Sequence, residues 1–310
     1  MATLYTEQDK NVRRTWLLMA LFLAVVVALG SFISYYYGNP AVLIIAVVFA
    51  LGMNVVGYWR SDKIALSLAG AVPADPAAYP DLFRLTENLA ITAGLPCPRL
   101  FVINDPSPNA FATGRDKDHA AIAVTSGLLG MMNDNELSGV LAHELSHVGN
   151  RDILLQSAVV VLVGFIAILA NVFTRGLWLG GGRKRGGNGE GGGQLGAILA
   201  VIGLIFVILS PIIAQLIQLA ISRKREFLAD ADGALLTRYP EGLASALRKI
   251  SACDRPMARA NNATAHLFIS NPFGSQAYKG LAKLFMTHPP TEERIKALMG
   301  ERAEGEGISN

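Results

Sequence analysis

His143-Glu144-Leu145-Ser146-His147 places two imidazoles one helical turn apart with a carboxylate between them. On an α-helix residues i and i+4 share a face, so His143 and His147 can offer two ring nitrogens to one metal ion. Glu144 then sits about 100° round the helix, beside that ion. Two histidines leave zinc undercoordinated, because a catalytic zinc keeps three protein ligands and one open position. A third ligand must come from elsewhere in the chain.

The residues directly after His147, Val148 to Ile153, lack the x-x-G-x-x-H continuation of metzincins. The best candidate is Glu226 in Arg225-Glu226-Phe227-Leu228-Ala229-Asp230, where Glu226 and Asp230 again share a helical face. This reproduces the Glu-x-x-x-Asp arrangement of gluzincins, in which the glutamate ligates zinc. The aspartate there accepts a hydrogen bond from the non-ligating nitrogen of the first histidine and fixes its tautomer.

The elements that must position these groups lie partly in a membrane. The chain has 310 residues, 52% of them hydrophobic and 16% charged, a composition too apolar for a wholly soluble protein. Thr15 to Trp59 carry no charge, and Gly38-Asn39-Pro40 breaks the run near its middle, so the sequence predicts a helical hairpin over 15–37 and 41–59. Ile153 to Thr174 and Leu195 to Ile221 are a third and a fourth apolar run, joined by a glycine-rich linker from Gly180 to Gly193. Two spans between His147 and Glu226 return the chain to the side it left, which is what a shared metal site requires. Basic residues at Lys10, Arg13, Arg14, Arg60, Lys63 and Arg223 to Arg225 make that side cytoplasmic, although Arg175 and Arg183 to Arg185 then face outward. The organisation read from the sequence is a transmembrane hairpin (1–60), a first catalytic segment with the metal helix (61–152), a second hairpin (153–221) and a second catalytic segment with the third ligand (222–310).

Between the hairpins, Pro73, Pro76 and Pro80 mark a linker. Asp81 to Ala93 has helical apolar spacing closed by Gly94. Arg99 to Asn104 and Ala120 to Thr125 are β-prone runs, with Asn109 to Thr113 a short strand between them. An open edge there holds an extended peptide by main-chain hydrogen bonds, with Asn109 as the substrate contact; a covered edge makes it a plain hairpin. The metal helix runs from Asn133 or Asp134 to Asn150, with Leu137, Val140, Leu141, Leu145 and Val148 as its buried stripe. The fold class is α+β, a predominantly helical integral membrane protein with four transmembrane helices and a cytosolic zincin-like catalytic domain carrying a small β-sheet.

The two apolar hairpins, the His143 to His147 helix leading into Gly149-Asn150-Arg151-Asp152, Arg223 to Asp230, Ala265 to Pro272 and Thr287-His288-Pro289-Pro290 together resemble the HtpX family. These are bacterial membrane-integrated zinc endopeptidases, relatives of the eukaryotic CAAX prenyl endoprotease. The resemblance implies one Zn2+ per chain held by His143, His147 and Glu226, and Glu144 as general base. It implies His288 as the group stabilising the oxyanion, with Arg294 nearby as a structural or orienting residue. It further implies the bacterial inner membrane, a cytoplasmic active site, and polypeptide substrates drawn from misfolded or damaged membrane proteins. Prenylated peptides are the alternative substrate within the same reaction class.

A zinc-binding membrane scaffold without proteolysis is the rival from another class. Glu144 argues against it, since a closed structural site needs four protein ligands and no adjacent base. A net charge of +3 with scattered basic residues gives no nucleic-acid footprint. Cys97 and Cys253 read as buried thiols of a reducing compartment.

Overall fold

The computed structural model describes residues 4–165, 223–274 and 289–300, side chains from residue 8 onward. The apolar run from Leu195 to Ile221, the Gly180 to Gly193 linker and His288 lie outside the described residues, as does the second half of the run from Ile153 to Thr174.

The membrane hairpin is built from α1 (Leu4–Tyr37) and α2 (Pro40–Trp59). Gly38 takes a φ of 63°, and Asn39 caps α2 by accepting the Ala41 N–H at 3.0 Å, with Pro40 at the first helical position. The two helices cross where Gly30 faces Ala46. Trp16, Leu17, Ile44, Ile45, Val48 and Val55 are each more than half exposed, an apolar exterior suited to lipid. Among the described residues, 8–37 and 41–59 form helices long and apolar enough to cross a membrane. α1 begins well before the expected first residue of its span, so a polar extension precedes its apolar stretch.

Beyond Trp59 two unforeseen elements precede the linker expected at Pro73, Pro76 and Pro80. Ser61–Ala69 is a helix, α3, ended by Gly70 at φ 70°, and Ala71–Pro73 is a strand, β1. α4 (Pro80–Ala93) follows, with Pro80 at its start and Gly94 in the left-handed region at its end. Strands β2 (Arg99–Ile103), β3 (Ala110–Thr113) and β4 (Ala121–Thr125) complete a four-stranded sheet of order β1-β2-β4-β3. β2 and β4 are parallel, whereas β1 runs antiparallel to β2 and β3 antiparallel to β4. β3 is therefore an edge strand.

After the short α5 (Ser126–Met131) comes the metal helix α6 (Asp134–Gly149), started by a capping box in which Asn133 and Glu136 satisfy each other's backbone N–H groups. The expected apolar stripe underestimates it, because α6 is buried on all sides from Gly139 to Val148. α4, α6, the sheet and α9 (Pro240–Ala252) share one core through Leu82, Leu100, Ile122, Leu141, Leu145 and Leu247. α9 approaches α6 at Gly139, where a Cβ would stand 2.6 Å from the Leu243 nitrogen.

At Arg151 the backbone enters the left-handed region with φ 57°, and α7 (Asp152–Phe165) departs at 84° from α6. α7 carries the first part of the third apolar run into the membrane hairpin, burying Leu155, Val159 and Leu162 against Leu18, Phe22 and Ala50. The described chain resumes with α8 (Arg223–Thr237), followed by α9 and the terminal α10 (Thr291–Leu298). The thiols depart from expectation: Cys97 is exposed and Cys253 half-buried, and both are free.

Candidate metal centre

α6 presents His143 and His147 on one face, their rings edge to face with centroids 4.8 Å apart. α8 lies against that face because Gly233 has no side chain; a Cβ there would stand 3.1 Å from the His143 nitrogen. This close approach brings Glu226 to the histidines. Its two carboxylate oxygens lie 3.8 Å from His143 Nε2 and 3.7 Å from His147 Nε2, and the two Nε2 atoms are 3.2 Å apart. Ligand atoms on one tetrahedral zinc at about 2.0–2.1 Å stand about 3.3 Å from one another. The three residues are no more than 5% exposed. Their donor set, two imidazoles and a carboxylate at those separations, fits a divalent ion of the zinc type.

The second ring nitrogens fix the tautomers. His143 Nδ1 lies 2.9 Å from Asp230 Oδ1, and His147 Nδ1 lies 3.0 Å from Asp152 Oδ2. A ring that donates from Nδ1 to a carboxylate turns an Nε2 lone pair to the centre when neutral. Burial lowers the proton affinity of His143, and the Arg294 charge adds to this against the pull of Asp230. His147 meets the same burial, but its hydrogen bond to Asp152 and the charge of Glu226 outweigh it and raise its pKa.

Glu144 is buried beside this cluster. One carboxylate oxygen accepts the Ala112 N–H of β3, whereas Oε2 has no hydrogen-bond partner among the described residues. Burial raises its pKa to about 7, with Glu226 adding to the rise and His147 opposing it. A carboxylate poised near neutrality with a free oxygen can accept a proton and return it.

Arg294 faces inward, away from the neighbouring Glu292 and Glu293 of its own helix. Its guanidinium donates to both Asp230 oxygens at 2.6 and 2.8 Å and approaches Glu226 at 3.9 Å. Asn109 is not part of this cluster. Its amide donates to Ser270 O at 2.9 Å and its oxygen accepts the N–H groups of Ala110 and Ser270, so its side chain is engaged within the protein. On the β3 edge itself, Ile269 N–H covers the Ala110 carbonyl.

Three residues at the centre were not singled out from the sequence: Asp152, Asn11 and Arg225. Asp152 and Arg225 lie within the motifs that carry the family resemblance, but the sequence alone assigns no role of its own to either, nor to Asn11. A signal existed for Asp152, which stands five positions after His147, just past a turn-forming Gly149-Asn150.

Compared with known proteins, residues 76–302 match the model described as Peptidase family M48. A "Protease HtpX homolog" of Caldanaerobacter subterraneus subsp. tengcongensis is 51% identical over 300 residues, which is 96% of this chain and 97% of that protein. One of Thermoanaerobacter pseudethanolicus is 48% identical, over 96% of this chain and 97% of its own length. The crystal structure of S. mikatae Ste24p is similar with a TM-score of 0.46 and 19% identity, over 94% of this chain and 66% of that one.

Proposed function

The chain belongs to peptidase family M48 and is a membrane metalloprotease, and from that premise we propose that it is a zinc-dependent endopeptidase acting on misfolded or damaged membrane proteins. The observation that carries this reading is the convergence of His143, His147 and Glu226 beside a buried Glu144, one of whose oxygens has no partner among the described residues. His143, His147 and Glu226 hold the ion. When bound, zinc supplies a Lewis acid that acidifies water and polarises the scissile carbonyl.

The protein's own groups do the rest. Glu144 takes the proton of the attacking water and delivers it to the departing amine nitrogen, closing the proton balance of amide hydrolysis. Asp230 orients His143, and Arg294 orients Asp230. The Ala112 N–H holds Glu144 against β3. His288 is proposed as the donor to the oxyanion, on the strength of the Thr287-His288-Pro289-Pro290 motif alone. Asn109 holds the start of β3, the edge beside Glu144 along which an extended peptide is proposed to bind.

The proposed setting is the bacterial inner membrane, with four spans and the active site on the cytoplasmic side. Support comes from the apolar exterior of α1 and α2, from the entry of α7 into the same bundle, and from the basic residues flanking the spans.

The test compares wild type with Glu144→Gln, full length and in detergent, by zinc content and casein cleavage. The variant is expected to keep one zinc per chain and lose about 10²–10⁴-fold in cleavage rate. Cleavage at the wild-type rate by Glu144→Gln removes the general-base role. A zinc-loaded wild type that cuts nothing makes the protein a scaffold.

A further inference from the structure

The first transmembrane helix reaches the metal centre. Asn11, on the polar turns of α1 that precede its apolar stretch, is fully buried, and both of its amide hydrogens are committed. Nδ2 donates to Asp152 Oδ1 at 2.7 Å and to the Asn150 carbonyl at 3.0 Å, while Oδ1 faces Arg225 Nη1 at 3.5 Å. Asp152, 1% exposed, uses its other oxygen on His147 Nδ1 at 3.0 Å. A continuous path of polar contacts thus runs from the entry helix of the membrane hairpin through one carboxylate to one of the two imidazoles of the centre. The left-handed turn at Arg151 makes it possible by folding Asp152 back on the helix that carries His147.

We propose that Asn11 and Asp152 are positioning residues that aim His147 at the metal, so that α1 is part of the metal centre as well as an anchor. The proposal rests on the reading of His143, His147 and Glu226 as the metal site. Without the Asn11 amide, Asp152 Oδ1 keeps, among the described residues, the guanidinium of Arg225 at 3.5 Å, and the carboxylate that holds His147 is less firmly fixed. The ring of His147 then loses its fixed direction. Loss of an outer partner of a ligating histidine weakens metal binding by about 10–100-fold.

The control is supplied by Gln8, one turn earlier on α1. Its Nε2 donates to the Gly149 carbonyl at 2.6 Å, so it holds the same end of the metal helix. The structure gives it no contact with Asp152, so it separates closing the helix end from aiming the histidine.

The experiment measures zinc affinity by chelator competition on full-length protein in detergent. It adds the visible absorption spectrum of the cobalt(II)-substituted form and the thermal unfolding midpoint. Asp152→Asn is expected to lose about 10–100-fold in zinc affinity and Asn11→Leu about tenfold, both with altered cobalt bands. Gln8→Leu is expected to change neither. Asn11→Leu with a wild-type midpoint, affinity and cobalt spectrum overturns the proposal. So does Gln8→Leu matching the loss in Asn11→Leu, since helix-end closure then explains both. If Asn11→Leu does not accumulate, Asn11→Ala removes the same amide without apolar bulk and is judged by the same criteria. His147→Ala separates the two levels: retained stoichiometric zinc there sinks the metal reading and this inference together. Lost zinc there with unchanged affinity in the Asn11 variants sinks this inference alone.

Discussion

His143 and His147 sit one turn apart on a single helix, each with an aspartate at Nδ1, and yet the protein pushes their proton affinities in opposite directions. Burial opposes protonation of both rings, and the charges around them make the difference: Arg294 beside His143, Glu226 and Asp152 beside His147. Asp230 is held by two short bonds from Arg294, whose guanidinium also stands 3.4 Å from the His143 ring, so its charge offsets the carboxylate at the ring. Asp152 is held by a neutral amide at 2.7 Å and by Arg225 at a looser 3.5 Å, so its negative charge is left to act on His147. One half is assembled from α8 and α10, the other from α1 and α7 with Arg225 reaching in from the start of α8. The same histidine–carboxylate pair therefore yields a neutral ring on one side and a proton-loving ring on the other.

The largest expected effect breaks the first half. Arg294→Met leaves Asp230 as a buried carboxylate without its cation, and unfolding by denaturant is expected to become easier by about 3–5 kcal/mol. A wild-type midpoint would mean that the pair is not coupled as its geometry indicates. The next prediction reads the contrast directly. Of the two rings, His147 is raised to about 9 and His143 lowered to about 4, so zinc uptake at pH 7 is expected to displace the ring proton of His147 rather than one from His143. Calorimetry in buffers of different ionisation enthalpy is expected to show release of about one proton, with apparent affinity rising as pH rises. Release of none would remove the asymmetry.

A smaller effect is expected where both halves meet α6. Gly233→Ala puts a methyl 3.1 Å from the His143 backbone nitrogen, so α8 must shift by tenths of an ångström, carrying Glu226 and Asp230 with it. Zinc affinity is expected to fall several-fold with little change in unfolding midpoint; unchanged affinity would show that α8 has slack. The smallest effect belongs to Arg151, whose left-handed backbone suits glycine. In Arg151→Gly, relief of that strain opposes the added freedom of the unfolded chain, and thermal stability is expected to stay within about 1 kcal/mol of wild type. A larger loss would assign the exposed Arg151 side chain a contact of its own.

Local signals made much of this legible. The i, i+4 spacing of His143 and His147, the start of α6 near Asn133, Pro80 and Gly94 around α4, and the break at Gly38-Asn39-Pro40 are all short-range chemistry. Glu226 and Asp230 could be picked out across a long gap because their spacing repeats a known pattern. What stayed hidden depends on distant partners. α3 was not foreseen, and β1, which ends at the first of the prolines read as a linker, exists because the edge of β2 pairs with it. Burial of α6 on all sides needs the sheet, α8 and α9 together, which no single-helix pattern reveals. Asn11 is the sharpest case: in sequence it is a polar residue among charges ahead of a span, and only the path of α1 past the end of α6 gives it a partner.

α1 is one unbroken helix from Leu4 to Tyr37, so the turn bearing Asn11 and the apolar stretch from Thr15 belong to the same rigid screw. The four steps from Asn11 to Thr15 amount to about 6 Å of rise. The face that α1 turns toward α2 and α7 therefore dictates the face that Asn11 shows the metal helix. Inserting one residue between them swings Asn11 about 100° out of phase. Seven residues restore the phase to within about 20° but raise the centre about 10 Å from the bilayer. The height of the centre above the lipid and the aim of its ligand are thus two readings of one pitch, and neither can be retuned without the other.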